Sequence, residues 1–473
     1  MKKRKISNIC CIGAGYVGGP TMAVLADNNP QLKVTVVDIN KQKIDLWNSK
    51  DLKNLPIYEP GLSQIISKNR DKNLFFSSNV SEAIAQADMV FISVNTPTKK
   101  KGFGAGFASD LKWVESSARE VAKYSKGHTI VVEKSTLPVK TAQTIKTILL
   151  AYEVRDNRQN KSKSFSILSN PEFLAEGTAI NDLQKPDRVL IGGDDEKAIK
   201  LLKDIYLNWV EESKILTTDL WSSELSKLIS NAFLAQRISS INSISALCES
   251  TQSNINNVSK AVGMDKRIGP YFLEAGPGFG GSCFKKDISN LIYICNHYGL
   301  TEVASYWENV ILINKWQQKR ISKIIVEKLF GNLSEKKISI LGFAFKSNTN
   351  DTRESPAISI CKDLLEEGCF LSIYDPKVKR EQIKNELKSQ KITDTDDYFK
   401  KNIWEKAKDI YEACNNSDAI VILTSWEEFK NLDFKKLYSI MKSPCWIFDT
   451  RNIIKPLEAK RNGFNIWKLG DGF

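Results

Sequence analysis

A strand, a glycine turn, a helix and a second strand ending in an acid follow one another near the N terminus, and no other feature constrains the fold as much. The apolar run Ile9–Ile12 is typical of a buried parallel strand, and it leads into Gly13-Ala14-Gly15-Tyr16-Val17-Gly18. A helix-like stretch continues through Leu25, and a second apolar run, Val34–Val37, ends at Asp38. This order predicts a βαβ unit that binds a dinucleotide.

Each glycine of the turn has a physical role in such a unit. Gly13 permits the tight turn, Gly15 lets the backbone approach a pyrophosphate, and Gly18 allows the helix to pack closely. The pyrophosphate then lies at a helix N terminus, where unpaired N–H groups favour an anion. Asp38 can accept hydrogen bonds from a ribose 2′-OH, whereas a 2′-phosphate would meet its negative charge. The sequence therefore favours NAD over NADP as the cofactor.

Three further apolar runs are predicted to be strands, and each is followed by a polar, turn-forming loop. They are Met89–Val94 before Asn95–Thr98, Ile130–Val132 before Glu133–Thr136, and Ile167–Leu168 before Ser169–Gly177. Ligands of an open α/β sheet gather at the carboxyl ends of its strands, so these loops are expected to face the cofactor.

The strand pattern begins again after Gly331. The predicted strands of this second pattern are Lys337–Leu341, Leu371–Tyr374, Ala419–Thr424 and Trp446–Phe448. The turn after the first of them lacks the G-x-G-x-x-G spacing, so a nucleotide here is expected to be held differently. Lys346, Arg353 and Arg451 are available for its phosphates.

A long stretch with helical periodicity lies between the two patterns. Apolar residues keep helical spacing from Leu225 to Ile241, which predicts a long central helix. Lys227 and Asn231 share one face of it among apolar neighbours, so we weigh an inward-facing polar pair against the usual solvated lysine. The predicted fold class is α/β, with two Rossmann-like doubly wound domains joined by this helix. We predict an NAD-binding domain at residues 1–213, a central helical and dimerisation domain at 214–330, and a second nucleotide-type domain at 331–473.

A dense group of glycines precedes Cys283. Gly276, Gly278, Gly280 and Gly281 favour a backbone with positive φ or a close approach to a ligand. Helical spacing downstream predicts a helix that begins near Ser282, with Cys283 in its first turn, where the free N–H groups favour a thiolate. Cys283 is therefore a candidate nucleophile, although an isolated cysteine is more often buried.

Composition excludes several classes of protein. The net charge is +13, but the basic residues are scattered, so no nucleic acid is expected as a partner. Nine unevenly spaced cysteines do not form a disulfide framework, which indicates a reducing compartment. With two histidines and no Cys/His ligand spacing, no metal is expected. No segment is long and apolar enough to cross a bilayer, so no membrane association and a cytoplasmic location are predicted.

Five motifs resemble those of the UDP-glucose/GDP-mannose dehydrogenase family, the NDP-sugar dehydrogenases. Their residues are most similar to those of the animal branch of this family. They are Gly13-Ala-Gly-Tyr-Val-Gly-Gly-Pro20, Ile92-Ser-Val-Asn-Thr-Pro-Thr98, Asn170-Pro-Glu-Phe-Leu-Ala-Glu-Gly177, Ala235-Gln-Arg-Ile-Ser-Ser-Ile-Asn242 and Gly278-Phe-Gly-Gly-Ser-Cys-Phe-Lys-Lys-Asp287. The resemblance covers essentially the whole chain. It implies a four-electron oxidation of UDP-glucose to UDP-glucuronate with NAD, and it implies that the domain at residues 331–473 binds the UDP-sugar.

The resemblance also assigns functional residues. The implied catalytic residues are Cys283 as nucleophile, with Lys227, Asn231, Asp287, Glu172 and Thr136. The implied cofactor-binding residues are Gly13, Ala14, Gly15, Tyr16, Val17, Gly18, Asp38, Lys43, Val94, Asn95, Thr96, Pro97, Thr98, Ser135, Glu176 and Arg353. The implied substrate-binding residues are Glu172, Phe173, Leu174, Ala175, Glu176, Lys227, Asn231, Phe272, Gly278, Phe279, Gly280, Phe345, Lys346 and Arg451, with Arg267 from a partner subunit of a homodimer or homohexamer.

Several alternatives stay open at this point. The substrate could be another NDP-sugar, such as a UDP-N-acetylhexosamine or GDP-mannose. A silent sugar-nucleotide sensor or a nucleic-acid binder are hypotheses from other classes, against which the cysteine motif and the scattered charge argue. The first deprotonation could use water ordered by Asp287 and Lys227, or Lys227 itself with a pKa lowered by burial.

Overall fold

The computed structural model describes residues 5–135, 141–157, 163–388 and 403–472. Its contacts divide the chain into two compact units. The first consists of the chain up to Ser230 together with Ser289–His297, and the second of Asn231–Ile288 together with the chain from Tyr298 onward. The predicted domain boundaries at 213/214 and 330/331 stay a prediction.

The first unit contains, in the described residues, an eight-stranded sheet in the order β3-β2-β1-β4-β5-β6-β7-β8. Its strands are β1 Asn8–Ile12, β2 Lys33–Val37, β3 Leu74–Ser77, β4 Met89–Ile92, β5 His128–Glu133, β6 Ser164–Ser169, β7 Val189–Gly193 and β8 Ile215–Thr218. All neighbours pair in parallel except β6 and β7, which pair antiparallel. The first six strands have the order of a dinucleotide-binding sheet.

Helices cover both faces of this sheet. They are α1 Gly18–Asn28, α2 Lys41–Trp47, α3 Leu62–Asn69, α4 Val80–Gln86, α5 Lys112–Tyr124, α6 Thr141–Asn157, α7 Ala179–Gln184 and α8 Glu196–Tyr206. Alternate residues of β1 enter different cores, with Ile9 and Cys11 on one face and Cys10 and Ile12 on the other. Burial on both faces explains why the predicted strands are continuous apolar runs.

Two helices have residues in both units. Helix α9 runs from Leu220 to Ser250, which confirms the long helix expected from the periodicity, and α11 runs from Phe284 to His297. The boundary between the units falls after Ser230 in α9 and after Ile288 in α11.

The second unit contains a six-stranded sheet among the described residues, with the order β11-β10-β9-β12-β13-β14 and all neighbours parallel. Its strands are β9 Lys337–Leu341, β10 Phe370–Tyr374, β11 Trp404–Lys406, β12 Ala419–Ile422, β13 Trp446–Asp449 and β14 Asn465–Lys468. Its own helices are α10 Ile255–Gly263, α12 Thr301–Lys328, α13 Pro356–Glu366, α14 Arg380–Leu387, α15 Ile410–Cys414, α16 Phe434–Ile440 and α17 Pro456–Arg461.

This order repeats that of the first six strands of the first unit, so the predicted fold class is confirmed. Local sequence explains where its helices start. The hydroxyl of Ser355 accepts the N–H of Ala357, and Pro356, which needs no N–H partner, opens α13. Within the described ranges, no helix has the length and apolar character needed to span a membrane.

Candidate active site

The glycine turn after β1 is shaped by close contacts. Gly13 has a φ of +109°, and a Cβ there would lie 2.3 Å from the carbonyl oxygen of Ser93. A Cβ on Gly18 would lie 2.0 Å from the Gly13 carbonyl oxygen, so α1 can begin close to the turn only with glycine. A Cβ on Gly15 would meet nothing within 4 Å. The turn therefore leaves open space beside its middle glycine, which fits a dinucleotide pyrophosphate.

The carboxylate of Asp38 is tied to this turn. Its Oδ2 accepts the Ala14 N–H at 3.0 Å and the Lys43 ammonium at 2.9 Å, and its Oδ1 accepts the Asn40 N–H at 2.9 Å. Burial by itself would raise the pKa of Asp38, but these hydrogen bonds outweigh it and hold the pKa below its ordinary value. A charged acceptor thus stands one residue beyond β2, where a ribose 2′-OH is expected.

The loops after β4 and β5 are in contact. The Ser135 hydroxyl donates to the carbonyl oxygen of Val94 at 2.8 Å. Thr98 forms an isolated bridge with Ser109, which closes the loop that follows β4. Val94–Thr98 and Ser135 thus lie at the carboxyl ends of adjacent strands. Thr136, a predicted catalytic residue, lies outside the described residues.

Glu172 and Lys227 form a buried ion pair in the first unit. Lys227 Nζ lies 3.4 Å from Glu172 Oε1, and both side chains are 6% exposed. The other oxygen of Glu172 accepts the Leu174 N–H at 3.0 Å. The aromatic ring of Phe173 lies 5.3 Å from Lys227 Nζ and 3.8 Å from the guanidinium of Arg188. Of the two alternatives weighed for Lys227, the inward-facing one is confirmed by its burial, whereas the sequence offered no prediction for Arg188.

A second buried lysine, Lys134, lies at the end of β5. Its Nζ donates to Asn170 Oδ1 at 3.0 Å and lies 3.3 Å from Tyr206 Oη. Burial lowers the pKa of Lys134 to about 8; Glu172 opposes this shift and Lys227 adds to it. The sequence carries no signal of this burial, because Lys134 is a single lysine in a polar turn after a strand.

The loop from Phe173 to Glu176, predicted to bind the substrate, is anchored by Glu59. This buried carboxylate accepts the Gly177 N–H at 2.6 Å and the Ala179 N–H at 3.2 Å. Ala175 N–H donates to Asp182 at 2.9 Å. Glu59 was missed because its partners lie more than a hundred residues away along the chain, and no local pattern records such a contact.

In the second unit, three buried amides hold the glycine loop before Cys283. Asn242 on α9 accepts the Gly276 N–H at 2.8 Å, and Gln317 on α12 donates to the Gly276 carbonyl at 3.0 Å. Asn314, also on α12, accepts the Phe279 N–H at 2.8 Å and donates to its carbonyl at 3.1 Å. The loop is therefore fixed before it reaches the cysteine.

The same loop packs tightly on the segment after β9. A Cβ on Gly280 would lie 2.6 Å from the Glu354 carbonyl oxygen and 2.9 Å from the Cβ of Phe345. The Gly281 N–H donates to the Arg353 carbonyl at 2.8 Å. The sequence predicted that these glycines take a positive φ or let the backbone approach a ligand closely. At Gly280 the close approach is to another segment of the protein's own chain.

Cys283 is exposed, whereas the other eight cysteines are buried; all nine lie in the described part of the chain, and none of them is in a disulfide. Helix α11 begins at Phe284, so Cys283 precedes the helix and does not lie in its first turn as predicted. As the residue just before the helix, Cys283 still accepts its first hydrogen bond, from the Asp287 N–H to the Cys283 carbonyl at 2.8 Å. The Sγ atom lies 3.5 Å from Ser282 Oγ.

One turn further, Asp287 is joined to Asn231. The Asn231 amide donates to Asp287 Oδ2, and both residues are buried. Lys286 Nζ lies 3.7 Å from Asp287 Oδ1. The structure therefore brings Asn231 and Asp287 together within the second unit, as it brings Glu172 and Lys227 together within the first.

The predicted phosphate-binding residues of the second unit have different surroundings. Arg451 is held by the carbonyl oxygens of Leu423 at 2.8 Å and Phe345 at 3.2 Å. Burial lowers the pKa of Arg451 to about 10, although Glu274 and Asp449 act in the opposite direction. Lys346 Nζ lies 5.6 Å from the ring of Phe345.

Three predicted binding residues stand apart from these clusters. Arg353, predicted to bind the cofactor, belongs to the second unit and forms a two-pronged ion pair with Asp351. Arg267 pairs with its neighbour Asp265, and its side chain is 89% exposed. Phe272 has a φ of +59° and packs edge-on against Phe284, with the ring centres 6.5 Å apart.

Taken by itself, the first unit has the construction of an NAD-dependent dehydrogenase. Three family models match the chain in sequence order. The NAD binding domain of the UDP-glucose/GDP-mannose dehydrogenase family matches residues 7–210, its central domain residues 221–316 and its UDP binding domain residues 339–456. The chain therefore belongs to the UDP-glucose/GDP-mannose dehydrogenase family, as the motif resemblance predicted.

Individual proteins agree with this assignment. The chain is 52% identical to UDP-glucose 6-dehydrogenase 3 of Oryza sativa subsp. japonica, over 98% of this chain and 96% of the relative. It is also 52% identical to UDP-glucose 6-dehydrogenase of Mus musculus, over 98% and 94% of the two chains. A UDP-glucose dehydrogenase structure from Pyrobaculum islandicum has a TM-score of 0.83 at 28% identity, covering 99% of this chain and 98% of that one. The equal plant and animal identities do not separate the two branches.

Proposed function

We propose that this protein oxidises UDP-glucose to UDP-glucuronate, with two molecules of NAD accepting hydride in turn. The chain is 52% identical to UDP-glucose 6-dehydrogenases from a plant and an animal over 98% of its length, and this similarity supports the activity. The observation that carries the mechanism is the environment of Cys283. It is the exposed cysteine of the chain, it follows a loop fixed by buried amides, and it precedes the helix turn that holds Asp287.

Covalent attachment explains how the chain could complete two oxidations. The first hydride leaves C6 of the sugar and the hydroxyl proton is removed, giving an aldehyde and the first NADH. The Cys283 thiol adds to the aldehyde to form a thiohemiacetal, which keeps the half-oxidised sugar bound while the cofactor is exchanged. A second hydride leaves the same carbon and the hydroxyl proton of the thiohemiacetal is released, giving a thioester and the second NADH. Water then cleaves the C–S bond, releasing UDP-glucuronate and the thiol.

The buried polar pairs are proposed to handle the protons. Asn231 and Asp287 can orient the C6 oxygen or a water, since an amide and a carboxylate supply donors and acceptors at fixed positions. Lys227 or the water it orders is the candidate base for the alcohol, and Glu172 is the candidate base for hydrolysis.

The remaining assigned residues are proposed to bind the two nucleotides. In the first unit, Gly13–Gly18 and Asp38 fit the NAD pyrophosphate and ribose. In the second, Lys346 and Arg451 are proposed to bind the UDP phosphates, with Phe345 and the Gly278–Gly280 loop beside them. The exposed Arg267 is proposed to reach the UDP-sugar of a partner subunit in a homo-oligomer, and the enzyme is proposed to act in the cytoplasm.

A nucleotide-sugar panel tests the proposed substrate. We expect NADH from UDP-glucose in a yield of two per sugar, and little from UDP-N-acetylhexosamines or GDP-mannose. Mass spectrometry of the product should show UDP-glucuronate. A preference for another sugar would refute the substrate assignment, and one NADH per UDP-glucose would refute the tethered intermediate.

Two single-residue variants test whether Cys283 is the nucleophile. Cys283→Ser is expected to lose net turnover by at least about a thousandfold while NAD binding, measured by calorimetry, stays near the wild-type value. Cys295→Ala changes a buried cysteine of helix α11, the helix that follows Cys283; it is the matched control and should keep its activity. A Cys283→Ser enzyme with substantial turnover would remove the assignment.

A further inference from the structure

Arg237 on α9 belongs to one of the five motifs described above, and the proposed reaction gives it no role. Its Nε donates to the Tyr271 carbonyl at 2.9 Å, and its two Nη atoms donate to the carbonyls of Ile268 at 2.9 Å and Gly269 at 2.8 Å. All three acceptors lie in residues 264–272, the loop after α10. A guanidinium can hold several carbonyls at once because its five donors point outward in one plane. One side chain of α9 therefore fixes the backbone of the 264–272 loop.

The 264–272 loop is also held at both ends. At its start, Gly263, the last residue of α10, packs so closely on Pro270 that a Cβ on the glycine would lie 2.9 Å from the Pro270 Cα. Just beyond its end, the Leu273 carbonyl accepts the Ser259 hydroxyl of α10 at 2.6 Å. Together with the three carbonyl contacts, these interactions leave the loop backbone few other conformations.

The side chains of the same loop are exposed. Met264 is 77% exposed and Tyr271 is 80% exposed, and the side chain of Arg267 is 89% exposed. Fixing the backbone of an exposed loop in advance lowers the entropy that is lost when its side chains bind another molecule. The 264–272 loop is therefore suited to presenting side chains to a binding partner.

Arg267 has a fixed orientation within this loop. Its Nε donates to Asp265 Oδ1 at 3.0 Å, and one Nη donates to Asp265 Oδ2 at 2.6 Å. In the part of the chain that the structure describes, the other Nη of Arg267 makes no hydrogen bond. Arginine binds phosphates and carboxylates through such N–H groups. Arg267 can therefore bind an anionic group of another molecule while it stays paired with Asp265.

We propose that Arg237 is a positioning residue for the UDP-sugar site of a partner subunit. It holds the 264–272 loop in place, so that Arg267 already stands where the anionic substrate of the partner binds. Arg237 itself donates to three carbonyls of its own chain and acts on the substrate only through Arg267. This inference rests on the proposed function, because it requires Arg267 to reach the UDP-sugar of a partner subunit.

A double-mutant cycle tests whether Arg237 acts through Arg267. In assays of NADH formation, Arg237→Met and Arg267→Ala are each expected to raise the KM for UDP-glucose about tenfold, as for the loss of one hydrogen bond to a charged group. The kcat and the KM for NAD should stay within about twofold of the wild-type values. The double variant should have the KM of the weaker-binding single variant, because both changes remove the same contact.

Mixed oligomers test whether the lost contact is made to a partner subunit. A Cys283→Ser chain keeps Arg237 and Arg267 but lacks the proposed nucleophile. It is co-expressed with an Arg237→Met chain, and the mixed oligomer is purified through a different tag on each chain. The Cys283→Ser chain can then supply a well-placed Arg267 to the intact cysteine of its partner. The KM for UDP-glucose should therefore return to within about twofold of the wild-type value.

Two further variants control for general damage to the fold. Arg70, in the first unit, also holds two backbone carbonyls, those of Trp47 and Ser49, each at 2.8 Å. Arg70→Met is therefore matched to Arg237→Met, and it should leave the KM for UDP-glucose unchanged. Arg237→Lys keeps the charge and part of the hydrogen bonding, so its KM should rise less than that of Arg237→Met. If circular dichroism and gel filtration show that Arg237→Met does not fold, the same cycle is run with Arg237→Lys.

The contrary outcomes are distinct. Effects that multiply in the double variant, a mixed oligomer whose KM stays high, or an equal rise of the KM in Arg70→Met would make Arg237 a structural residue and overturn the proposal. An unchanged KM in Arg267→Ala would overturn the contact with the partner's substrate as well, while the oxidation of UDP-glucose would stand. A wild-type enzyme that forms no NADH from UDP-glucose would refute the proposed function and this inference with it.

Discussion

The turn after the first strand has a similar form in both sheets, but its acidic partner is used differently in each. In each, an acid one residue beyond the second strand accepts N–H groups from the turn that follows the first strand. Asp38 accepts one N–H group of the turn and forms an ion pair with Lys43, and its side chain is 11% exposed. Asp375 accepts two turn N–H groups, from Phe343 at 2.8 Å and Ala344 at 3.0 Å, together with the Trp426 indole at 3.2 Å, and it is fully buried.

This difference shows how one motif can leave its acid partly exposed or bury it completely in the core. The N-terminal turn leaves the Asp38 side chain 11% exposed, and we propose that a ligand hydroxyl reaches it there. In the C-terminal turn, the Asp375 carboxylate is buried and accepts hydrogen bonds from the protein itself. A nucleotide there must therefore be bound by other groups. The absence of the G-x-G-x-x-G spacing after β9 predicts a different mode of binding, and the burial of Asp375 favours that prediction.

The strongest test of the comparison is a pair of glycine variants. Gly13→Ala must accommodate a Cβ 2.3 Å from a backbone carbonyl at a φ of +109°, and it should weaken NAD binding by a hundredfold or more. Gly342→Ala has a φ of +95° and a Cβ 2.4 Å from Thr424, so it should be destabilised by about 1–3 kcal/mol. Calorimetric titration with NAD checks the contrast, because Gly342→Ala should still bind NAD. Equal loss of NAD binding in both variants would contradict it.

A smaller effect is expected from the two acids. Asp375→Asn exchanges an acceptor for an amide facing N–H donors, and it should lower the free energy of unfolding by about 1–3 kcal/mol. Asp38→Asn should cost less stability but raise the NADP-to-NAD preference about tenfold, since the repulsion of a 2′-phosphate is removed. Thermal unfolding and the two cofactor KM values measure both. If Asp38→Asn proved the less stable variant, the assignment of Asp375 to the core would fail.

The smallest effect concerns pH. Because the folded pKa of Asp38 lies below its ordinary value of 3.8, its carboxylate stabilises the fold above that value and loses the effect as the pH falls through the folded pKa. The gap in unfolding free energy between wild type and Asp38→Asn, less than about 1 kcal/mol for a partly exposed pair, should be present at pH 7 and shrink below about pH 4. Chemical denaturation at several pH values measures it, and a gap that grew on acidification would reverse the sign of this contribution.

Sequence predicted the parts of the fold whose periodicity is strong. The apolar runs of β1, β2, β9 and β10 and the long α9 were recognised because buried parallel strands and long helices have clear patterns. Strand β11, with its sequence Trp-Glu-Lys, and β8, with Thr217 and Thr218, were missed because edge strands need no apolar run. Helix α11 was placed near Ser282, since helical spacing locates a helix better than its first residue.

The candidate site was predictable only where residues carry their own signal. Cys283 and the glycines before it could be recognised from local sequence, as could Asp38. Lys134, Glu59 and Arg188 could not, because each acts through a partner far along the chain, and their residue types are ordinary surface types. The buried amides Asn242, Asn314 and Gln317 were missed for the same reason: a helix sequence does not record which of its polar side chains holds a distant loop.

The contrast between one exposed cysteine and eight buried ones gives the molecule a built-in chemical label. Burial raises the pKa of Cys414, as of Cys11, to about 12, so such thiols react slowly at neutral pH. A maleimide dye or an iodoacetamide tag should therefore attach to the native enzyme once per chain, at the sulfur proposed to hold the sugar. The same exposure makes Cys283 the expected site of oxidation by peroxide. Its oxidation should inactivate the enzyme, and a reductant added before the sulfur is oxidised further should restore activity.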